Sequence, residues 1–168
     1  MKRNETYKNG KIKCLLEFYY KNGNLDHRTT YKNDVENGPY VIYFENGNLM
    51  EESTFIEGER FGGFKEYYEN GAAFREINYQ NGEQIGAFKI YYPEGSVLLK
   101  GKYSSNVRDS LWTTYSVDGQ IEYIDYYKTG ILTKRTDSIG NQIELKQEDK
   151  MAPLDVNPKD FDPTALKR

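Results

Sequence analysis

Apolar and polar residues recur along this chain with a period of 24 residues, and three residue classes follow that period independently. The turn glycines are Gly23, Gly47, Gly71, Gly95 and Gly119. One aromatic series is Tyr7, Tyr31, Phe55, Tyr79, Tyr103 and Tyr127, and a second is Tyr19, Tyr43, Tyr67, Tyr91 and Tyr115. Because three series share one spacing, the sequence predicts a repeat protein.

Each period predicts a strand, a tight turn, a return strand and a longer turn. The pair Asn46-Gly47 is typical of a two-residue type I′ hairpin turn, and the other tips carry Asn-Gly, Glu-Gly or Asp-Gly. Return strands are predicted at 25–31, 49–55, 73–79, 97–103 and 121–127. The second turns are predicted at 33–34, 57–58, 81–82, 105–106 and 129–130, lengthened by extra residues before Gly38, Gly62 and Gly86. Units of this kind in series predict an all-β fold, an elongated single-layer antiparallel meander of stacked hairpins.

The tight turn also predicts which residues face each other. If Glu45 pairs with Asn48, then Phe44 lies opposite Leu49, and the pairs Ile42 with Glu51 and Tyr40 with Ser53 follow on the same side. This side, the packed face, carries Tyr20, Phe44, Tyr68 and Tyr92, with Leu16, Tyr40, Phe64, Phe88 and Trp112 further along the strands. The other side, the tyrosine face, pairs Val41 with Glu52 and has Tyr43, Tyr67 and Tyr91 opposite Met50, Phe74 and Leu98, with Lys65 opposite Glu76.

The repeat weakens near the end of the chain. Thr136 stands where the period expects an aromatic residue, which fits an atypical terminal repeat that caps the array. Three of the five prolines, Pro153, Pro158 and Pro163, follow within the last stretch. We therefore predict a repeat array over 1–146 and a proline-containing tail or cap over 147–168, extended or disordered.

Composition narrows the class of protein and of partner. The 168 residues are 37% hydrophobic and include 16 tyrosines, which suits a thin sheet with amphipathic surfaces. A formal net charge of -3 argues against nucleic acid and against an anionic membrane as partners. Cys14 is the single cysteine, expected as a small half-buried side chain. With no long apolar run, the expected location is cytoplasmic, and an exported protein whose leader was removed stays open.

Few residues offer catalytic or metal chemistry. His27 is the only histidine, and the predicted register puts it opposite Phe18 in a structural or exposed role. Carboxylates such as Glu51, Glu52 and Asp125 fall on opposite faces of strands and do not converge. The glycines belong to turns, so no phosphate-binding motif is present. The sequence predicts a non-enzymatic protein with no cofactor and no metal site.

The segment Gly82-x-x-x-Gly86-x-Phe88-x-x-Tyr91-Tyr92-x-x-Gly95, with copies over 58–71 and 38–47, resembles the variant MORN repeat of bacterial YwqK-like antitoxin proteins. The resemblance covers about 1–146. It departs at Asn106 and Ser110, where glycines are usual, and in the first copy. MORN arrays serve as scaffolds, as lipid-associated modules and as appendages of enzymes, so the resemblance implies a fold more narrowly than a function.

The leading hypothesis is a protein-binding module, acting as an antitoxin or immunity-type protein that occludes a toxin. The predicted partner-binding residues are Tyr43, Tyr67, Phe74, Tyr91 and Trp112, because aromatic side chains contribute much contact area at low entropic cost. The alternative for the tyrosines is that they only stabilise the sheet. A second hypothesis is a structural or membrane-associated scaffold that self-associates through its edge strands.

Overall fold

The structure, a computed structural model, describes residues 7–8, 10–12 and 15–146. Cys14 and the predicted tail over 147–168 lie outside the described residues. The described chain forms β-strands joined by turns. The strands are β1 Tyr7–Lys8, β2 Lys11–Ile12, β3 Leu15–Tyr19, β4 Leu25–Lys32, β5 Val35–Tyr43, β6 Leu49–Ile56, β7 Glu59–Arg60, β8 Gly62–Tyr67, β9 Ala73–Gln80, β10 Glu83–Tyr91, β11 Val97–Ser104, β12 Val107–Tyr115, β13 Ile121–Lys128, β14 Ile131–Thr136 and β15 Gln142–Ile143.

These strands confirm the predicted meander. Strands β3 to β15 form one antiparallel 13-stranded sheet in which neighbours in sequence are neighbours in space, with β7 pairing beside β8 on β6. Strands β1 and β2 pair separately. Short connections between successive antiparallel strands explain this order, because each hairpin brings the next strand directly beside the last.

The hairpin tips differ from the predicted type I′ turn. At one tip the Gly47 N–H donates to the Phe44 carbonyl at 2.9 Å, and the Phe44 N–H donates to the Asn48 carbonyl at 2.8 Å. Gly47 has a φ of 91°, whereas Asn46 has no positive φ. This is a three-residue loop in which a type I turn is followed by a left-handed glycine. The predicted two-residue turn was therefore wrong.

Because the tip is one residue longer than predicted, the pairing of the two strands shifts by one residue next to the tip. The pairs Ile42 with Glu51, Val41 with Glu52 and Tyr40 with Ser53 form as predicted. Beyond them a bulge puts Tyr43 opposite Leu49 where Met50 was expected. The same shift recurs in the later hairpins, where Tyr67 pairs with Ala73, Tyr91 with Val97 and Tyr115 with Ile121.

The second turns are the tight ones, which also corrects the prediction. Asn33 and Asp34 both have positive φ, 56° and 69°, and Lys32 pairs directly with Val35 around them. Such a pair of left-handed residues defines a type I′ turn. The extra residues predicted to lengthen these turns lie inside the following strand or at its start, where Gly62 has a φ of 77° and the register shifts as in a β-bulge.

Hydrogen bonds join neighbouring repeats at both ends of the strands, along the row of hairpin tips and along the row of second turns. At the tips, the Asn46 and Asn48 side-chain amides both donate to the Glu69 carbonyl of the next tip, at 3.2 and 2.9 Å. Along the row of second turns, the Gly58 N–H donates to the Glu36 carbonyl at 2.9 Å, and equivalent backbone bonds join the later turns. The tip asparagines therefore link neighbouring repeats and do not supply the left-handed residue.

The packed face carries most of the buried residues. Phe64, Phe88 and Trp112, one period apart, are at most 3% exposed, and Phe88 packs against Trp112 at 5.1 Å between ring centroids. Buried charges on this face are paired: Glu51 with Arg60 at 3.0 Å and Asp125 with Arg135 at 2.6 Å. Burial raises the pKa of Glu66 although Arg75 opposes the shift. A single sheet thus forms a core from side chains that pack sideways on one face.

Candidate functional site

The tyrosine face is positioned by the alternation of side chains along the strands. Tyr43, Tyr67, Tyr91 and Tyr115 each end an outgoing strand immediately before a hairpin tip, and each is partly buried. Because successive strands of the array repeat the same register, these rings follow one another along one side of the sheet. Tyr115 belongs to this row although the predicted site left it out; its place in the 24-residue series was the signal.

Hydroxyl bonds to carboxylates hold the central two rings. The Tyr67 hydroxyl donates to Glu52 at 2.6 Å, and the Tyr91 hydroxyl donates to Glu76 at 3.0 Å, each carboxylate lying on the neighbouring strand. Burial, followed by the bond to Glu76, raises the pKa of Tyr91 to about 12, and burial and Glu52 raise the pKa of Tyr67. Both hydroxyls therefore stay protonated at neutral pH and remain donors.

A row of charged residues crosses the same face beside the tyrosines. The register places Glu52 opposite Lys65, Lys65 opposite Glu76 and Glu76 opposite Lys89, so the sign of charge alternates across four strands. The predicted pairing of Lys65 with Glu76 is confirmed. Lys65 also lies 4.0 Å from Glu52, an exposed pair that contributes little to stability.

The alternation ends at Lys89, which lies directly opposite Lys100. Lys102 follows on the same side, opposite Ala87, and lies 3.7 Å from Asp109. The sequence-based site did not include these three lysines. The register of β10 and β11 could have located them, because it places two like charges face to face.

A shallow depression of about 170 Å³ opens between two of the charged side chains on this face. Lys65 and Lys89 lie on its rim, and the small residues Gly63 and Ala87 leave the space open. No other heavy atom lies within 4 Å of where a Cβ of Gly63 would be. The face is therefore not flat but has a concave region next to its lysines.

Phe74 lies in the core and not on the tyrosine face. Since Ala73 takes the position opposite Tyr67, Phe74 falls in the bulge, is fully buried, and packs edge-on against Tyr68 at 5.1 Å. Its predicted place opposite Tyr67 was wrong, because the longer tip moves the pairing by one residue. Leu98, one period later, is likewise fully buried.

Trp112 is also buried, on the packed face, with 1% of its surface exposed. Its indole covers Gly101, and the Arg108 guanidinium lies over the indole at 4.4 Å from the ring centroid. The structure thus groups Tyr43, Tyr67 and Tyr91 on one accessible face and places Phe74 and Trp112 inside the sheet's core. Contact of any of these five residues with a partner stays a prediction.

The predicted turn glycines all lie in hairpin tips with positive φ, between 82° and 95°. They are Gly23, Gly47, Gly71, Gly95 and Gly119.

His27 pairs with Phe18 as predicted, and the two rings stack at 4.0 Å with an interplanar angle of 12°. Within the described residues, no group of three or more histidine, cysteine or acidic side chains is arranged to hold a metal ion.

Across the described ranges 7–8, 10–12 and 15–146, the chain contains no helix with the length and apolar character needed to cross a bilayer.

Comparison with known proteins gives one family match. The model of the MORN repeat variant matches residues 15–33, 36–57 and 62–81, which cover the first three hairpin units of the 13-stranded sheet. No curated protein matches the chain, so the narrower resemblance to YwqK-like antitoxins stays a prediction. The three matched segments are similar to the MORN repeat variant, a repeat type that suggests a module for binding proteins or membranes.

Proposed function

We propose that this chain is a non-catalytic repeat module that binds a partner protein through its tyrosine face. The observation that carries this proposal is the row of half-buried tyrosines on a sheet face, of which Tyr67 and Tyr91 are tied by hydroxyl bonds to Glu52 and Glu76. Rings held in place before binding lose little conformational freedom on contact, so more of their contact energy is available for affinity.

The chemistry of this face suits a protein partner. Tyrosine is enriched among the residues that dominate protein interfaces, since it combines a broad apolar ring with a polar tip. Charged residues such as Lys65 and Glu76 border the rings and would form the hydrated rim that interfaces commonly have. In the narrower form of the proposal, the partner is a toxin and the protein neutralises it by covering its active surface.

The test uses the full chain to isolate a partner from the native source, identifies that partner, and measures its Kd with the purified pair. The double variant Tyr67→Ala, Tyr91→Ala should raise Kd about 30-fold, equivalent to about 2 kcal/mol. The matched control is Ile131→Ala, Ile139→Ala, which removes two side chains that are 67% and 83% exposed, and it should leave Kd unchanged. If the partner is toxic to cells, co-expression of the unaltered chain should relieve toxicity and the tyrosine variant should not.

Two results would contradict the proposal. An unchanged Kd in the tyrosine variant would exclude the tyrosine face as the binding surface, and loss of the folded state would assign the tyrosines to stability alone.

Light scattering of the full chain checks the second candidate, a self-assembling scaffold. That candidate draws on the open ends of the sheet, where Ile139 is highly exposed near β15, and a strict monomer would remove it.

A further inference from the structure

We propose that the lysine patch, defined as Lys89, Lys100 and Lys102, receives an acidic segment of the partner protein. This inference rests on the proposed function and names the chemistry of the surface that the partner must present. It starts from the direct opposition of Lys89 and Lys100 across β10 and β11. Like charges opposite each other in a sheet are destabilising, so the fold alone gives no reason for this pair.

A like-charged pair on the packed face shows how the same sheet compensates such a pair elsewhere. Glu51 lies opposite Glu66, and each carboxylate has an arginine: Arg60 is 3.0 Å from Glu51 and Arg75 is 2.6 Å from Glu66. The lysine pair differs. Among the residues that the structure describes, no carboxylate oxygen lies within 4.0 Å of the ammonium group of Lys89 or Lys100.

Two acidic groups flank the patch on the tyrosine face, and each has another contact. Glu76, opposite Lys89, accepts the Tyr91 hydroxyl at 3.0 Å, and Asp109 lies beside Lys102 at 3.7 Å. Lys100 instead lies over the Tyr115 ring, 5.0 Å from its centroid. The patch therefore holds a local excess of positive charge on a chain whose formal net charge is -3.

The surroundings of the patch favour spaced carboxylates over a continuous polyanion. Glu76 and Asp109 flank the lysines and would repel a phosphate backbone that ran past them. An extended peptide with acidic residues at intervals can place a carboxylate over the Lys89–Lys100 pair and keep uncharged residues beside Glu76 and Asp109. The depression over Gly63 and Ala87 lies next to Lys89 and has room for a small side chain of the same segment.

The test measures binding of the full chain to a fluorescently labelled peptide of 12 residues that alternates glutamate with alanine. The same peptide with glutamine in place of glutamate is the charge control. We expect saturable binding of the glutamate peptide only, weakened by added salt because the contacts are electrostatic. The variant Lys100→Glu should weaken binding about tenfold, and Lys89→Gln, Lys100→Gln should do the same without adding an acidic group.

Stability separates this role from a structural one. Lys100→Glu restores the alternating charges of the row, so its melting temperature should be equal to or higher than that of the parent chain while peptide binding falls. The control Lys21→Glu makes the same charge change at an exposed hairpin tip and should leave peptide binding within about twofold.

Equal binding of the glutamine peptide, or equal loss in Lys21→Glu, would overturn the inference. So would binding to phosphatidylserine vesicles or to a single-stranded oligonucleotide in preference to the glutamate peptide. The identified partner distinguishes the two proposals. If Tyr67→Ala, Tyr91→Ala raises the Kd of the partner as expected and Lys100→Glu leaves it unchanged, only the lysine patch is excluded. If the tyrosine variant has no effect, the proposed function fails as well.

Discussion

Trp112 and Gly101 show at the residue scale how one large side chain restricts its neighbour. The indole lies so close over Gly101 that a Cβ there would fall well inside van der Waals contact with the ring. One period earlier the corresponding positions hold Phe88 and Ile77, a smaller ring beside a larger neighbour. The volumes compensate between repeats, as expected for a core packed to the density of a solid.

We therefore expect Gly101→Ala to lower the free energy of unfolding by about 1–3 kcal/mol, the usual cost of overpacking. Gly63→Ala is the matched control, because Gly63 has no positive φ and open space around its Cβ position. That control should be neutral or stabilising by about 0.4–1 kcal/mol. Urea unfolding of both variants measures the difference, and an equal cost in the two would contradict the packing argument.

At the scale of the element, neighbouring hairpin tips are joined by a tyrosine hydroxyl bond that the second tip lacks. The Tyr20, Tyr68 and Tyr92 hydroxyls donate to the backbone carbonyl of the residue 23 positions later, at distances of 2.7, 2.6 and 2.9 Å. Phe44 occupies the equivalent position in the second tip and has no hydroxyl. The carbonyl that corresponds to the acceptor is that of Tyr67.

Replacing Phe44 by Tyr should therefore stabilise the protein by about 1 kcal/mol, the net value of one added hydrogen bond. The reciprocal change, Tyr68→Phe, should destabilise it by a similar amount or more, because its acceptor would lose a donor in a partly buried place. Thermal unfolding followed by circular dichroism compares the two. Destabilisation by Phe44→Tyr would mean that the second tip has no room for the hydroxyl.

At the scale of the whole molecule, the protein is a one-dimensional array. Each strand contacts its sequence neighbours. Asparagine side chains join neighbouring hairpin tips, and backbone bonds join neighbouring second turns. The main core cluster runs from Phe64 to Trp112, across β8 to β12. Stability in such arrays is the sum of repeat and neighbour contributions, so it is greatest where both neighbours are well packed.

Native-state hydrogen exchange should reflect this arrangement. Backbone amides of β9, β10 and β11 should exchange most slowly, and those of β15 should exchange fastest among the strands of the large sheet, because local opening is cheapest where few apolar contacts are lost. Gln142 and Ile143 of β15 are both exposed, whereas Ile90 in β10 is 1% exposed. Uniform protection along the array would instead indicate a single all-or-none unit.

The sequence by itself was enough for the fold and for much of the register. The 24-residue period predicted the order of strands and turns, and alternation within the strands gave the correct pairs at Ile42, Val41 and Tyr40. These features are local, because they depend on the two-residue alternation of a strand and on turn residues that are adjacent in sequence. They also placed Tyr43, Tyr67 and Tyr91 on the face opposite Phe64 and Phe88.

Only the tertiary structure decided what happens at the hairpin tips and beside them. Each tip takes one residue more than the predicted two-residue turn, and after the third tip this shift moves Phe74 from the tyrosine face into the core. A bulge changes the pairing without changing the local pattern of apolar residues, so alternation along the strand does not reveal it. For the same reason the opposition of Lys89 and Lys100 emerges only once two strands are paired in register.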